Sequence, residues 1–436
     1  MRSVDVLIIV EHKAREFESA CLLKVAFEKK GMTVAIDSIF PNKEALPFKY
    51  SAKIIVVPWA YNDRDMSYLE SFFYKSPNAM IINLHHEQYS GRDEDTACLP
   101  VGRAKNVLHV SWGTKFTEAL LRCGCDEEDI VTAGNIRLDF YKSNLMRLSV
   151  PKRDLARKFQ IDEKKRWILF IANGYHLMDD ATIERVSRID SNVLAKKAIS
   201  DSCREDFLSM VARYLELHSD LVFIYRPHPV FADKDKHSAD LNSLCRVYPD
   251  TFKVVPDLPI RDWLLASEVC ISFHSTSVVE CCFANIPYYL FRTKQFPVEF
   301  DYAFLSGYEY TITNFDDFKC ALSSPSIYDN AAISKRLSSY YSSTDRFTFE
   351  QIVSFVLSKS ARGKSDAYLR RDLFRVYLKG RIKALIKILS RFSLIRKNMI
   401  KSSDARWFRL LGIGEDAFTQ KDVADECALL KSALEK

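Results

Sequence analysis

The stretch LVFIYRPHPVFADKD (residues 221–235) joins five apolar residues to an Arg-Pro-His-Pro turn. A short apolar run rich in Val, Ile and aromatic residues is typical of a buried strand. Pro227 and Pro229 fix φ on either side of His228 and disfavour helix in the residues that precede them. The sequence therefore predicts a core strand that ends in a stiff turn, with His228 presented where parallel sheets bind ligands. A rigid surface turn without a ligand is the alternative.

Short apolar runs alternate with helical patterns in two series along the chain. The first series has strand candidates at residues 4–10, 33–37, 52–59, 79–84 and 106–112, and the second at 167–173, 221–225, 252–256, 269–273 and 287–291. Val/Ile-rich strands interleaved with helices predict parallel sheets covered on both faces. We expect an α/β fold with two doubly wound, Rossmann-type domains (1–152 and 153–340), a cleft between them, and a helical extension (341–436).

The composition is that of an ordinary globular protein, with 436 residues of which 47% are hydrophobic and 28% charged. The apolar run near the start is too short for a signal peptide, and no later run is long enough to span a membrane. We therefore expect a cytoplasmic protein whose 11 cysteines are reduced. Cys123 and Cys125 have no second pair to complete a zinc site.

Glycine is scarce, with 12 in the chain, and no glycine-rich phosphate-binding loop is present. A hydroxyl cluster at residues 275–277 instead follows the strand candidate 269–273, where a helix is predicted to begin. Backbone N–H groups at a helix start favour an anion, although an ordinary N-cap would need the same residue types. The predicted donor-binding residues are Arg226, His228, Ser272, His274, Ser275, Thr276, Ser277, Glu280 and Asn173.

The Arg-Pro-His-Pro turn, followed about 45 residues later by Ser-Thr-Ser, resembles the paired motifs of bacterial GT-B transferases. These include Kdo transferases and polysialyltransferases, which use CMP-activated sugars. CDP-glycerol and CDP-ribitol phosphotransferases of teichoic acid synthesis show a related arrangement. The resemblance implies a GT-B-like fold in which His228 and the hydroxyls at 275–277 contact the nucleotide phosphates.

The first half of the chain resembles bacterial surface carbohydrate biosynthesis proteins in three places. VEHKAREFESACLL (residues 10–23) is similar to their E-x-K-x-R-E opening, and INLHHEQYSG (82–91) stands where they carry an acidic motif. VTAGNIRLDFY (131–141) is similar to their G-N-P-R-x-D segment, with Ile136 in place of the proline. The resemblance covers roughly residues 4–300. It implies capsule or other surface polysaccharide synthesis.

An inverting glycosyl transfer needs a base for the acceptor hydroxyl and charge stabilisation for the departing phosphate. Glu87, after the strand candidate 79–84, is the predicted base, and His228 is the predicted catalytic partner at the phosphate. Glu11, Arg15 and His86 are predicted to bind the acceptor, although Arg15 and Glu16 could instead form a structural ion pair. Asp93, Glu94 and Asp95 are rival candidates for the base. The alternative for Glu87 is a polar loop without a catalytic role, and the alternative for Arg137 and Asp139 is a structural role.

We expect transfer of a CMP-linked sugar, Kdo-like or sialic-acid-like, to a surface polysaccharide or a lipid-linked glycan. The alternatives are a CDP-glycerol or CDP-ribitol phosphotransferase, a UDP-sugar transferase or 2-epimerase, and a non-catalytic assembly partner. No D-x-D segment stands at a plausible strand end, so we expect no cofactor and no required divalent metal. The nucleotide sugar is a co-substrate.

The basic character of the chain is concentrated near its end. Residues 370–401 hold 11 Lys or Arg and one Asp, while the whole chain has a net charge of +6. Apolar residues recur there at helical spacing, so segment 369–401 predicts a helix on an anionic membrane surface. A helix that packs on the protein body is the alternative. Nucleic acid is not an expected partner because no aromatic stacking pattern accompanies the charges.

Overall fold

The computed structural model describes residues 1–39, 45–88, 98–188, 190–228, 235–325, 328–342, 346–359, 374–375, 377–382 and 418–435. By their contacts these residues form two units, the first from the described residues before 146 and after 337 and the second from the described residues between them. Each unit contains a six-stranded sheet with surrounding helices, which confirms the predicted α/β class. The boundaries at 152 and 340 stay a prediction.

The elements alternate along the chain as the two series of apolar runs predict. The strands are β1 (Arg2–Val10), β2 (Val34–Ser38), β3 (Tyr50–Val57), β4 (Met80–Asn83), β5 (Leu108–Ser111), β6 (Ile130–Thr132), β7 (Arg166–Ile171), β8 (Leu221–Arg226), β9 (Phe252–Val254), β10 (Val269–Ser272), β11 (Tyr288–Phe291) and β12 (Thr311–Ile312). The helices are α1 (Lys13–Lys29), α2 (Leu46–Lys49), α3 (Asp63–Phe73), α4 (Thr114–Arg122), α5 (Ser143–Met146), α6 (Lys152–Phe159), α7 (Asp180–Ser187), α8 (Val193–Leu215), α9 (Ala239–Val247), α10 (Ile260–Ala266), α11 (Ser277–Ala284), α12 (Phe315–Ser323), α13 (Asn330–Leu337), α14 (Thr348–Lys359) and α15 (Gln420–Leu434).

Both sheets are parallel and have the same kind of strand order. The first runs β2-β1-β3-β4-β5-β6 and the second β12-β11-β10-β7-β8-β9. Strand β1 lies between β2 and β3, and its Val6 pairs with Val34 on one side and Ile54 on the other. Strand β8 is buried along its whole length, as expected for a strand with helices on both faces.

The end of the chain packs on the first unit. The carboxylate of Asp139 accepts hydrogen bonds from the N–H groups of Thr348 (3.0 Å) and Phe349 (3.1 Å), so it caps the start of α14. A Cβ on Gly113 would lie 2.4 Å from the backbone of Tyr340, so only glycine allows this close approach. Helix α15 is tied to α1 by the ion pair between Lys431 and Glu28 (3.0 Å).

The core of the second unit is built from aromatic rings between β8 and its helices. Phe207 of α8 is fully buried and stacks on Phe170 of β7, with ring centroids 3.7 Å apart. Phe223 of β8 stacks on Phe318 of α12 at 5.8 Å. Such pairs contribute about 0.5–1.5 kcal/mol each beyond the area they bury, so the strand that precedes His228 is firmly anchored.

The strand orders determine which loops meet. Strands β1, β3 and β4 are neighbours in the first sheet, and β10, β7 and β8 are neighbours in the second. Because parallel strands end at the same edge, the segments that follow each of these triplets lie side by side within their own unit. The predicted site residues lie at or after the ends of five of these strands, β1, β4, β7, β8 and β10.

Candidate functional site

A cavity of about 360 Å³ opens at the carboxyl ends of β1, β3 and β4 in the first unit. Its walls come from the start of α1, from the segment between β3 and α3, and from the loop after β4. The lining residues are Glu11, His12, Arg15, Glu16, Trp59, Tyr61, Asn62, Asp65, His86 and Glu87. The structure therefore brings together all four residues predicted in this half of the chain: the base Glu87 and the acceptor-binding residues Glu11, Arg15 and His86.

The predicted base is held by an arginine from another element. The Arg15 guanidinium donates through Nη1 to Oε1 of Glu87 at 2.9 Å, across 72 positions of sequence. The Glu87 side chain is 60% exposed, so its carboxylate remains reachable from solvent. Arg15 thus pairs with Glu87, whereas the sequence left open a local ion pair with Glu16.

The loop that carries Glu87 is clamped by buried hydrogen bonds. His85 has a left-handed backbone (φ 49°), and its Nε2 lies 2.9 Å from Nδ1 of the buried His109. His109 Nε2 faces the Lys105 carbonyl at 3.1 Å, so it donates there and its Nδ1 accepts from His85. Burial lowers the pKa of His85 well below its usual range and that of His109 to about 4, so both rings are neutral.

Gln88 fixes the other side of Glu87. Its side-chain amide donates to the Val110 carbonyl (3.0 Å) and accepts from the Trp112 N–H (2.8 Å), which ties the loop to β5. His86, between the two clamps, is half-buried and lines the cavity. Burial and the positive charges of Arg15 and Arg137 lower the pKa of His86 to about 3. His86 is therefore a neutral ring that can donate or accept a hydrogen bond.

Two further carboxyl groups, those of Glu11 and Glu16, line the same cavity. Glu11 accepts a hydrogen bond from Nε1 of Trp59 at 2.6 Å. Glu16 is 2% exposed, and its Oε2 accepts from the Glu11 N–H at 2.6 Å. Its other oxygen, Oε1, is buried and has no hydrogen-bond partner among the described residues. Burial, reinforced by the charge of Glu11, raises the pKa of Glu16 to about 7.

The hydroxyl cluster of the second unit stands at the start of α11, after β10. Ser275 Oγ accepts from the Ser277 N–H (3.1 Å) and donates to Ser277 Oγ (2.9 Å). Thr276 is exposed, Ser275 is half-buried and Ser277 is buried. Ser275 and Thr276, directly before α11, thus reach solvent beside the backbone N–H groups of its first turn, which an anion can use.

Arg226 and His228 end β8 as predicted, but they differ in exposure. The buried Arg226 guanidinium donates to the carbonyls of Asp257 (2.9 Å) and Leu258 (2.5 Å). Burial lowers the pKa of Arg226 to about 10, against the opposing charge of Glu280. His228 is half-buried at the same edge of the sheet as the hydroxyl cluster. Arg226 therefore supports the loop at Leu258, and His228 is the more accessible of the two.

Two other residues predicted to bind the nucleotide-sugar donor are buried in the protein interior. Asn173, after β7, accepts hydrogen bonds from Ser200 Oγ (2.8 Å) and from the Tyr175 N–H (3.2 Å). Ser272 is fully buried in β10 and accepts from the hydroxyl of Tyr288 at 3.3 Å. Donor binding by these two residues stays a prediction, and their contacts argue for supporting roles.

His274 packs in a small aromatic and charged cluster. Its side chain is 9% exposed, and its ring stacks on Tyr302 with centroids 4.5 Å apart. Asp301 lies 3.8 Å from His274 Nε2 and accepts two hydrogen bonds from Arg292, both at 3.1 Å. Burial and the charges of Arg292 and Lys196 lower the pKa of His274 to about 3, so the ring is neutral.

Sequence reasoning missed part of both sites. Trp59, Tyr61 and Asp65 line the cavity but were not singled out. Trp59 and Tyr61 follow the end of β3 directly, so the strand-end rule applied to β1 and β4 would also have found them. Arg292 follows β11 in the same way. The rival bases Asp93, Glu94 and Asp95 lie outside the described residues. No cluster of metal-ligating side chains occurs in the described ranges.

Solved structures share this architecture at low sequence identity. A protein assigned as UDP-N-acetylglucosamine 2-epimerase from Listeria monocytogenes has a TM-score of 0.51 and 12% identity, over 82% of this chain and 96% of that one. The UDP-GlcNAc 2-epimerase of Methanocaldococcus jannaschii, in complex with UDP-GlcNAc and UDP, has a TM-score of 0.49 and 13% identity over 81% and 99%. The wall teichoic acid polymerase TagF has a TM-score of 0.49 and 14% identity over 82% and 88%.

No protein-family model matches the chain, and no curated protein sequence matches it. The match to the Listeria structure, together with the two parallel sheets, confirms the GT-B-like α/β fold. The similarity to Kdo transferases and polysialyltransferases, and the CMP-linked donor, stay predictions.

Proposed function

We propose that the protein is an enzyme of nucleotide-activated sugars, with the reacting sugar group held at the cavity of the first unit and the nucleotide at the second. The observation that carries this proposal is the meeting of Glu87, Arg15, Glu11 and His86 around one cavity. These residues come from separate elements, and a purely structural ion pair would not need a cavity beside it. The hydroxyl-rich start of α11 supports the nucleotide assignment.

The preferred reaction is an inverting glycosyl transfer. Glu87 takes the proton of the acceptor hydroxyl as its oxygen bonds to the anomeric carbon of the donor. The bond from that carbon to the donor phosphate oxygen breaks, and the nucleotide leaves with the bonding electrons. His228 and the N–H groups at the start of α11 stabilise the charge on the departing phosphate. Arg15 positions the Glu87 carboxylate through the 2.9 Å contact. The proposed acceptor is a surface polysaccharide or lipid-linked glycan, and no cofactor or metal takes part in these steps.

A UDP-sugar 2-epimerase is the second candidate, favoured by the fold match to the Listeria protein. That reaction removes a proton from carbon and returns it on the other face of the sugar, and the cavity carboxyls could serve it. It needs no acceptor. A CDP-glycerol or CDP-ribitol phosphotransferase would differ in leaving a phosphate in the product.

A thermal-shift panel of CMP, CDP, UMP, UDP and GDP tests the nucleotide assignment. We expect nucleotides with one particular nucleobase to raise the melting temperature of the wild type. The increase should be smaller in His228→Ala. His218→Ala is the matched control, because His218 precedes the amino end of β8, at the opposite edge of the same sheet. A response to cytidine nucleotides would favour CMP- or CDP-linked donors, and a response to UDP a UDP-sugar. No shift with any nucleotide would refute the proposal.

Product analysis separates the reactions. The nucleotide sugars CMP-Kdo, CMP-sialic acid and UDP-GlcNAc and the polyol donor CDP-glycerol are each incubated with protein, with and without a glycan acceptor. Nucleotide release that depends on the acceptor identifies a transferase, and phosphorus in the glycan identifies the phosphotransferase. Inversion at C2 of UDP-GlcNAc in the absence of an acceptor, detected by proton NMR, identifies the epimerase.

We further propose contact with an anionic membrane at its inner face. Of the basic segment 369–401, the structure describes residues 374, 375 and 377–382. Tyr377 stacks on Tyr74 of the first unit at 4.2 Å, while Phe374, Leu378 and Ile382 are exposed at a spacing of four residues. No helix among the described residues is long and apolar enough to cross a membrane. We expect sedimentation with phosphatidylglycerol vesicles, weakened when these three exposed residues are changed to Ser.

A further inference from the structure

Carboxyl groups dominate the charged side chains around the cavity of the first unit. Among the described lining residues, Glu11, Glu16, Asp65 and Glu87 carry carboxyls, and Arg15 carries the one guanidinium. Arg15 is engaged with Glu87 at 2.9 Å. An anionic ligand would therefore compete with Glu87 for Arg15 and meet the remaining carboxylates, and such like-charge contacts cost several kcal/mol.

The cavity offers hydrogen-bond acceptors to a ligand that donates. Oε1 of Glu16, in the cavity wall, is buried without a hydrogen-bond partner among the described residues. Because the pKa of Glu16 is about 7, this oxygen accepts a hydrogen bond when the carboxyl is ionised and donates one when it is protonated, and a sugar hydroxyl can be the partner in either state. Carboxylate oxygens accept and do not donate, so their natural partners are hydroxyl, amide N–H and ammonium groups. Sugar hydroxyls supply such donors in several directions.

Aromatic rings and size also suit a sugar. Trp59 and Tyr61 line the cavity, and the Trp59 ring is oriented by the hydrogen bond from its Nε1 to Glu11. Aromatic side chains combine an apolar face with a polar tip, which matches the mixed surface of a pyranose. A volume of about 360 Å³ is near the lower end of the roughly 300–1,000 Å³ usual for ligand pockets, so it suits one or two sugar rings.

We propose that this cavity receives a sugar residue without negative charge, bearing hydroxyl, N-acetyl or ammonium groups. The proposal rests on the proposed function, since it identifies the chemical class of the group that reacts at Glu87. It has a consequence for the product. Kdo and sialic acid both carry a carboxylate, so an enzyme with this cavity would add such a sugar to an uncharged terminus and would not lengthen a chain of the same acidic sugar.

The test compares glycosides that differ at one substituent of the ring, which is neutral, anionic or cationic. Saturation-transfer NMR is recorded with the methyl glycosides of glucose and galactose, their uronic acid counterparts, and the methyl glycosides of glucosamine and N-acetylglucosamine. We expect at least one uncharged or amino glycoside to bind, about tenfold or more tightly than the uronates. Binding should be lost in Trp59→Ala, with Trp59→Phe as the second variant if the first does not fold.

Two variants test the role of charge. Asp65→Asn removes a lining carboxyl and should reduce the affinity ratio of uncharged glycosides to uronates severalfold. Glu118 is exposed on α4 outside the cavity lining, so Glu118→Gln should leave this ratio unchanged. Uronates that bind more tightly than their neutral counterparts in a Trp59-dependent manner would overturn the proposal, and so would a lack of binding by every glycoside. The nucleotide panel on the same preparation shows separately whether the proposed function fails.

Discussion

In both units the candidate residues follow three neighbouring strands of a parallel sheet, yet the two sets differ in chemistry. The first unit places Glu11, Trp59 and Glu87 around a carboxyl-lined cavity. The second unit places His228 and the hydroxyls of Ser275 and Thr276 at its corresponding edge, beside the start of α11. The first set accepts protons and hydrogen bonds, and the second suits an anion.

The comparison shows how one architecture can divide a reaction between its halves. Parallel strands bring their following loops to one edge regardless of sequence, so the residues at that edge determine what is bound. This division predicts that changes in the cavity affect catalysis and sugar binding, while changes at the end of β8 and the start of α11 affect nucleotide binding.

Glu87→Gln should give the largest effect. Glutamine keeps the shape of the side chain but cannot take a proton, so we expect acceptor-dependent nucleotide release to fall about 10²- to 10⁴-fold. Nucleotide affinity should not change, because Glu87 belongs to the first unit. The measurement is steady-state nucleotide release with parallel calorimetric titration. Glu118→Gln is the control, and an undiminished rate in Glu87→Gln would exclude Glu87 as the base.

Glu16→Gln should change how stability depends on pH. The pKa of Glu16 is about 7 in the folded protein and about 4.5 ordinarily, so the folded state holds its proton more tightly. The resulting stabilisation is complete below about pH 4.5 and is lost as pH rises through 7, a change of about 3 kcal/mol. Between pH 4.5 and 8 the unfolding free energy of the wild type should therefore fall relative to that of Glu16→Gln.

Urea unfolding followed by the fluorescence of Trp59 and Trp112, with the other tryptophans replaced, would report on the first unit. Asp139→Asn is a comparison at a second buried carboxyl: burial also raises the pKa of Asp139, although its two backbone hydrogen bonds oppose the shift, so the pH dependence should have the same sign. Parallel pH curves for wild type and Glu16→Gln would show that Glu16 does not hold a proton near neutrality.

The sequence predicted the sheets well because their strands are buried on both faces. Continuous apolar runs such as LVFIY in β8 need no further context to be recognised. The edge strands β6 (Ile130–Thr132) and β12 (Thr311–Ile312) were missed because they are short and no longer apolar run marks them, whereas the equally short β9 lies within the apolar run at 252–256. The predicted helical extension at 341–436 fits α14 and α15 within the described part of the chain.

The site was predicted in outline but not in its contacts. The strand-end rule found Glu87 and Glu11, yet nothing in the sequence shows that Arg15 pairs with Glu87, 72 positions away, and not with its neighbour Glu16. Burial of Glu16 likewise depends on packing and not on local pattern. Arg226 and Ser272 lie at strand ends as predicted, but their side chains are hydrogen-bonded within the protein. Arg226 donates to the Leu258 carbonyl, and Ser272 accepts from the Tyr288 hydroxyl.

His228→Ala should weaken nucleotide binding about 10- to 100-fold, because a hydrogen bond to a charged group contributes about 1.5–3 kcal/mol. Sugar binding at the cavity should not change in His228→Ala. Glu87→Gln should show the opposite pattern, because there the reaction at the cavity is impaired and nucleotide affinity is unchanged. Isothermal titration with the nucleotide chosen by the thermal-shift panel measures the change. Equal affinity in wild type and variant would leave Pro-His-Pro as a structural turn.

Ser275→Ala should have the smallest effect and is the sharpest test of the second unit. The Ser275 hydroxyl accepts a hydrogen bond from the Ser277 N–H at 3.1 Å, so its loss should cost about 1 kcal/mol of stability. If the start of α11 also binds phosphate, nucleotide affinity should fall a few fold as well. Ser272→Ala is the control, because Ser272 is fully buried and hydrogen-bonded to Tyr288. A loss of stability in Ser275→Ala without any change in affinity would reduce the hydroxyl cluster to an N-cap, and the nucleotide would then have to be bound by other residues at the ends of β7 and β8.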